Sequence, residues 1–256
     1  MIDDTALAQW LDFAVDAARQ AGEVTLRYFQ QPLDVMAKSD QSPVTVADRE
    51  TEATLRRLIG ARFPGHAILG EEHGLRPGSE PFRWILDPID GTRSFVRGVP
   101  IYGVLVGLQH EGQCVLGVAH FPALGETVAA ARGLGCTWNG RPARTSELDS
   151  LSEALVLYTD PHALTPAEHA ALGSATRMQR SWGDCWGHIL VATGRAEVML
   201  DPRLAVWDCA ALYPILREAG GTFTSWRGEP GIEGGSGIST NGPLMEPVLT
   251  LLSGLR

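Results

Sequence analysis

The 256-residue sequence predicts a layered mixed α/β or α+β protein, on three observations. Two N-terminal segments repeat apolar residues at helical spacing, the middle of the chain reads as strands, and from about residue 155 strands and helices alternate. Thr5 is a candidate cap for the first helix, where Leu7, Leu11, Ala14, Ala18 and Ala21 share a face; the helix should run to about Phe29 and end before Pro32. Residues 36–45 are polar and read as a loop or hairpin. A second helix fits Asp48–Arg62, with Leu55, Ile59 and Phe63 on one side and Pro64-Gly65 as its stop. Strands are expected at Trp84–Asp87, Tyr102–Gln109, Cys114–Ala119 and Glu126–Ala131, the second turning into the third at His110-Glu111-Gly112. Asn139-Gly140 marks a further turn. Leu155–Tyr158 and Ala196–Leu200 read as strands, 166–175 and 186–193 as helices. Trp207–Ala219 is expected as a helix closed by Gly220-Gly221, kinked at Pro214, and 243–252 as the last helix.

Composition narrows the function. With 44% apolar and 20% charged residues, the chain can bury a sizeable core. A formal net charge of −9 and the lack of a basic run argue against a nucleic-acid or membrane surface. No apolar run reaches the length of a membrane span, and Asp3 and Asp4 stand where a secretory signal would be basic. Cys114, Cys136, Cys185 and Cys209 are dispersed without a CxxC pair, as expected of free thiols in a reducing cytoplasm.

The segment Trp84-Ile85-Leu86-Asp87-Pro88-Ile89-Asp90-Gly91-Thr92 ends an apolar run on two carboxylates. Held so close, they repel unless a cation lies between them, and Mg²⁺ takes such oxygen ligands. Gly91 permits close backbone approach, and a helical turn from Thr92 would aim free N–H groups at an anion. A plain Asp-Gly turn is the competing reading. The Asp-nucleophile phosphatase motif is a rival too, but it spaces its acids by two residues rather than three and sits at a first strand. Glu71, in Gly70-Glu71-Glu72-His73-Gly74, is either part of a solvated loop or a carboxylate aimed at the same cation. Asp208 is either a dipole-favoured acid at a helix start or a third Asp of a two-metal site. Asp48 is either an N-cap or the group that orients a hydroxyl near the metal. No Ser-His-Asp set, HxxxH spacing, G-x-G-x-x-G or Walker A motif is present, which counts against hydride transfer and P-loop kinases.

These four constellations, with Trp207-Asp208-Cys209-Ala210-Ala211 followed by Ala219-Gly220-Gly221, resemble the inositol monophosphatase-like family from Lys38 to Asn241. The resemblance implies a five-layer αβαβα sandwich of the inositol monophosphatase and fructose-1,6-bisphosphatase type, formed as a single domain over 1–256. Its first sheet and metal loop would lie in about 1–145 and its second sheet in 146–256. It also implies two or three Mg²⁺ per site, lithium sensitivity and a homodimer. Glu71, Asp87 and the Ile89 carbonyl would hold one Mg²⁺, and Asp87, Asp90 and Asp208 a second. Thr92, backed by Glu71 and Asp48, would orient the attacking water, and the Gly91 and Thr92 amides would hold the phosphate. The implied chemistry is in-line hydrolysis without a covalent phosphoenzyme.

The segments Arg180–Gly187, Val191–Glu197, Asp201-Pro202-Arg203, Ser94–Gly103 and Pro122–Val128 are similar to the histidinol-phosphate phosphatase branch. Asp184 or Asp201 would pair with the substrate ammonium, Trp182 and Trp186 would flank an imidazole, Arg180 would approach the phosphate, and Lys38 is a further substrate-binding candidate. For Asp184, Trp186 and Arg180 the alternatives are a helix cap, a core ring and a surface ion pair. The expectation is a cytoplasmic Mg²⁺-dependent phosphatase of a small monoester, L-histidinol phosphate first. An inositol or sugar phosphate comes next, then a nucleotide bisphosphate. A phosphate-binding regulator without turnover is the outcome of another class.

Overall fold

The structure, a computed structural model, describes residues 2–32, 35–37 and 43–255. Its elements in chain order are α1 (Asp4–Tyr28), β1 (Met36–Ala37), β2 (Pro43–Val44), α2 (Val46–Arg62), β3 (Ala67–Gly70), β4 (Gly74–Arg76), β5 (Phe82–Asp90) and α3 (Thr92–Val96). Then come β6 (Gly103–His110), β7 (Gln113–Phe121), β8 (Glu126–Ala131), β9 (Gly135–Trp138), β10 (Arg141–Pro142), β11 (Leu155–Tyr158) and α4 (Pro166–Ala175). The chain closes with β12 (Met178–Arg180), α5 (Asp184–Ala192), β13 (Val198–Asp201), α6 (Val206–Glu218), β14 (Thr222–Thr224), β15 (Gly237–Thr240) and α7 (Met245–Leu252).

Five layers follow from which residues share a core. An eight-stranded sheet runs β10-β9-β8-β7-β6-β5-β3-β4, and a five-stranded sheet runs β12-β11-β13-β15-β14. Alternation along a strand sends successive side chains to opposite faces. Trp84 and Leu86 of β5 accordingly pack with Ala14, Ala18 and Ala21 of α1 and Leu55 and Ile59 of α2. Ile85 points the other way, into a core with Ile189 of α5, Leu212 and Ile215 of α6, and Leu157 and Met199 of the small sheet. Val156, Val198 and Leu200 face out from the small sheet onto Leu172 of α4 and Val248 of α7. The order is helices, large sheet, α5 and α6, small sheet, helices.

Most expected elements are present, with two corrections. The first helix starts at Asp4 with Asp3 in the cap position, so Thr5 lies inside it. The second starts at Val46, and its cap is Thr45, not Asp48. Asp48 instead closes the capping box from the third helical position, accepting from the Thr45 N–H at 2.8 Å. The 36–45 segment is a hairpin base, Met36 opposite Val44, and its tip at 38–42 lies outside the described residues. Asn139 and Gly140 both take positive φ, 49° and 76°, as a two-residue hairpin turn requires. Among the described residues no helix is long and apolar enough to cross a membrane.

One packing feature places the site. A Cβ on Gly117 would lie 2.1 Å from the Ala211 carbonyl oxygen, and one on Gly107 would lie 2.8 Å from Ala210. Small residues on both sides therefore let α6 lie directly on β6 and β7. The Ala210-Ala211 pair is what brings the start of α6, with Asp208, down to the end of β5.

Candidate active site

Asp87 and Asp90 are three residues apart, and in a regular strand they would face opposite sides. Pairing of β5 with β6 slips between them: Asp87 is opposite Leu105 and Asp90 opposite Gly103, so Pro88 and Ile89 share the single partner position of Val104. This bulge turns both carboxylates to one side, and Pro88, which has no N–H to pair, is tolerated there. The Ile89 N–H donates to Asp87 Oδ1 at 3.0 Å and fixes that carboxylate in the bend. Gly91 follows with φ +83°, and α3 begins at Thr92. Its first helical bond is from Ser94 N–H to the Gly91 carbonyl, 2.9 Å, so the Thr92 and Arg93 amides precede the helical ladder.

Carboxylate oxygens of Asp87, Asp90 and Asp208 lie within 4.8 Å of one another. Asp87 is 2% exposed and Asp90 8%. Burial, then the negative charges of Glu71, Asp90 and Asp208, push Asp87 well above the usual carboxylate range. Burial and Asp208 do the same to Asp90, although Cys185 N–H donates to its Oδ1 at 2.7 Å. Asp208 also caps its own helix, accepting from Ala205 N–H at 2.7 Å, so a helix-start acid and a member of the carboxylate cluster are the same residue. Glu71 and the three aspartates line one cavity with Ile89, Gly91, Thr92, Arg93, Thr159, Asp184, Asp201, Arg203 and Leu204. A buried cluster of like charges with only hard oxygen donors fits a divalent cation of the Mg²⁺ type. The neighbouring thiols of Cys185 and Cys209 are pushed up by burial and stay protonated, which leaves carboxylates as the donors.

Thr92 Oγ1 has one proton and two acceptors, the Ile89 carbonyl at 2.9 Å and Asp48 Oδ1 at 3.3 Å. Asp48 is buried and also accepts from the Thr45 hydroxyl at 2.7 Å. With its proton committed, the Thr92 oxygen is presented as an acceptor.

The far side of the cavity is built by strand ends of the small sheet. Asp201 ends β13, is 6% exposed, and accepts from the Thr159 hydroxyl at 2.6 Å. Burial, with the charges of Asp184 and Asp208, pushes it up to about 7. Thr159 Oγ1 in turn accepts the Asp184 N–H at 2.8 Å and so holds Asp184 at a left-handed φ of +51°, unusual for a non-glycine residue. Burial raises Asp184, while Arg93 and a Ser94 hydrogen bond act against the rise.

Several expected residues lie elsewhere. Arg180 is exposed on edge strand β12, donates to the Gln179 carbonyl at 2.7 Å, and is not among the lining residues. Trp182 is 45% exposed, and Trp186 packs edge-on against Phe121 at 4.8 Å with Arg195 stacked over it at 4.9 Å. Neither ring lines the cavity, so the core reading of Trp186 replaces the imidazole flank. Lys38 lies outside the described residues. Sequence reading missed Thr159, Arg93 and Arg203; the available signal was that β11 and β13 are parallel neighbours whose carboxyl ends finish on polar residues.

Fold and site together are those of a metal-dependent phosphoric monoester hydrolase. The chain belongs to the inositol monophosphatase family, whose sequence model matches residues 6–251 and whose enzymes use divalent metal. It is 46% identical over 233 residues to a histidinol-phosphatase of Chlorobaculum parvum, covering 89% of this chain and 90% of that one. It is 38% identical to a histidinol-phosphatase of Mycobacterium tuberculosis, covering 95% and 97%. An IMPase structure from Thermotoga maritima superposes with a TM-score of 0.89 at 30% identity, covering 95% of this chain and 96% of that one.

The carboxylate cluster sets a pH-dependent response to metal. A carboxyl group whose folded pKa is raised binds more protons folded than unfolded, so its contribution to stability falls as pH rises from the unfolded value near 3.8 through the folded one, about 7 for Asp201. A bound cation offsets the repulsion that appears on ionisation. His120 and His188, pushed down to about 4 and about 3 by burial, oppose the trend but cancel in the difference with and without metal. We expect Mg²⁺ at about 100 times its Kd to raise Tm by about 5–10 °C near pH 7.5, from about 2.7 kcal/mol of linkage. The rise should shrink towards pH 5. Differential scanning calorimetry checks this, and a rise independent of pH would mean that Mg²⁺ binds away from the raised carboxylates.

Proposed function

We propose that this chain hydrolyses L-histidinol phosphate with Mg²⁺, two or three ions per site. The observation that carries the substrate is Asp201, a buried carboxylate in the same cavity as the metal cluster, whose partners are the Thr159 hydroxyl and the Arg203 backbone N–H at 3.5 Å. Both are neutral donors, so an ammonium beside Asp201 would complement its carboxylate and favour the ionised form that burial disfavours. Inositol offers only hydroxyl groups. The names of the 46% and 38% identical relatives support the same assignment.

Glu71, Asp87 and the Ile89 carbonyl would hold one ion, and Asp87, Asp90 and Asp208 another. Bound there, Mg²⁺ would supply Lewis-acid polarisation and a nucleophile active at neutral pH. The Gly91 and Thr92 amides receive the phosphate, with Arg93 beside them. Thr92 Oγ1, its proton taken by Ile89 and Asp48, accepts a hydrogen bond from the attacking water and so aims its lone pair. The proposal extends to a cytoplasmic, lithium-sensitive homodimer. Four free cysteines support a reducing compartment, and sedimentation velocity tests the dimer.

The deciding experiment is phosphate release with Mg²⁺ from L-histidinol phosphate, inositol 1-phosphate and an adenosine bisphosphate, compared as kcat/KM. A large preference for the first is expected. A flat profile or an inositol preference keeps the metal site and discards the substrate. No turnover on any of them removes histidinol phosphate and favours the regulatory reading.

A further inference from the structure

Helix α2 carries a second carboxylate beside the site that the proposed reaction does not use. Glu52 lies one turn beyond Asp48, and Arg56 one turn further, so the three share a face. Glu52 is fully buried. Its Oε2 accepts the Glu72 N–H at 2.7 Å, and its Oε1 accepts the His73 N–H at 3.2 Å and Arg56 Nε at 2.6 Å. Arg56 also donates through Nη2 to the Gly74 carbonyl. Every one of these backbone partners belongs to the turn that joins Gly70 to its paired residue Gly74. Glu71 sits in that turn, and its own N–H is tied to the Leu86 carbonyl of β5 at 3.2 Å, next to Asp87. Gly70 completes the device: a Cβ there would lie 2.1 Å from Glu52 Oε1, so only glycine leaves room for the carboxylate.

We propose that Glu52, neutralised by Arg56, is the positioning residue that fixes the 70–74 turn and thereby aims Glu71 at the cation. One face of α2 then sets both halves of the site, Asp48 holding Thr92 and Glu52 holding Glu71. A carboxylate that accepts three donors leaves the turn little freedom, and outer partners of this kind tune metal affinity strongly. The inference rests on the proposed role of Glu71 as a metal ligand.

The test titrates Mg²⁺ alone into metal-free protein by calorimetry, with Tm measured alongside, for Glu52→Gln, Glu71→Gln and the double variant. Glu52→Gln places an amide NH₂ against a backbone N–H and should weaken Mg²⁺ binding about tenfold or more. The double variant should bind no more weakly than Glu71→Gln, because Glu52 acts only through Glu71. If Glu71→Gln weakens binding while Glu52→Gln lowers Tm alone, or if the two losses add, the positioning role is overturned and Glu71 remains a ligand. If Glu71→Gln leaves binding unchanged, the assignment of Glu71 itself is overturned, and this inference with it. Should Glu52→Gln not fold, Arg56→Lys carries the test. Lysine keeps the charge but cannot span Glu52 and the Gly74 carbonyl, and a loss of about threefold is expected; an unchanged affinity overturns the proposal.

Discussion

Asp90→Asn should abolish turnover and leave the metal-free protein as stable as the parent, or more stable. Asparagine keeps an oxygen that can accept the Cys185 N–H, so the link between the end of β5 and the start of α5 survives. What is lost is one negative charge from three carboxylates that lie within 4.8 Å of one another, two of them raised by burial and repulsion. Without metal that charge only costs stability, and its removal should raise Tm at neutral pH. As a proposed metal ligand it would also be needed for turnover, and losing several kcal/mol of charge stabilisation at the reacting phosphate corresponds to a fall of about 10³-fold or more in kcat. The two measurements must move in opposite directions. Near-native kcat at saturating Mg²⁺ would remove the two-metal reading; a collapsed Tm would make Asp90 a structural residue first.

Why the sequence announced Asp87–Thr92 so much more plainly than Thr159 has a physical answer. The motif is local: a strand end, a bulge and a helix start supplied by consecutive residues. Even here the sequence left a conflict, since three-residue spacing in a strand opposes the two acids, and only pairing with β6 showed the bulge that resolves it. Long patterned elements such as α1, α2, β7 and β8 were readable because burial of one face dictates their period. The missed strands, among them β9, β10, β12 and β14, have two to four residues and exist because a neighbour offers hydrogen bonds. Thr159 and Asp201 are 42 residues apart and meet because β11 and β13 lie side by side. Arg180 stands in a segment that resembles one branch of the family, yet β12 is an edge strand and Arg180 is not among the residues that line the cavity. Glu52 carried no local signal either, because its partners are the backbone of a turn some 20 residues on.

Asp201→Ala should separate the substrates. The ammonium of histidinol phosphate needs a charged acceptor, and a hydrogen bond to a charged group is worth about 1.5–3 kcal/mol. We expect kcat/KM for histidinol phosphate to fall about 10–150-fold on that energy, and the value for inositol 1-phosphate to fall far less. Asp184 serves as the contrast. Its carboxylate already faces Arg93 and Ser94, and its backbone is held at φ +51° by Thr159, so its charge is partly answered within the chain. Asp184→Gly relieves the backbone and should raise Tm by the equivalent of about 1 kcal/mol, because glycine takes positive φ without steric cost. Its effect on the two esters should be more nearly equal, through the Gly91 turn against which Asp184 packs. The comparison therefore assigns the ammonium to one of two neighbouring acids. Discrimination lost in Asp201→Ala but kept in Asp184→Gly places it at Asp201, the reverse places it at Asp184, and equal losses on both esters in both variants would leave the preference for an ammonium-bearing ester without a residue to explain it.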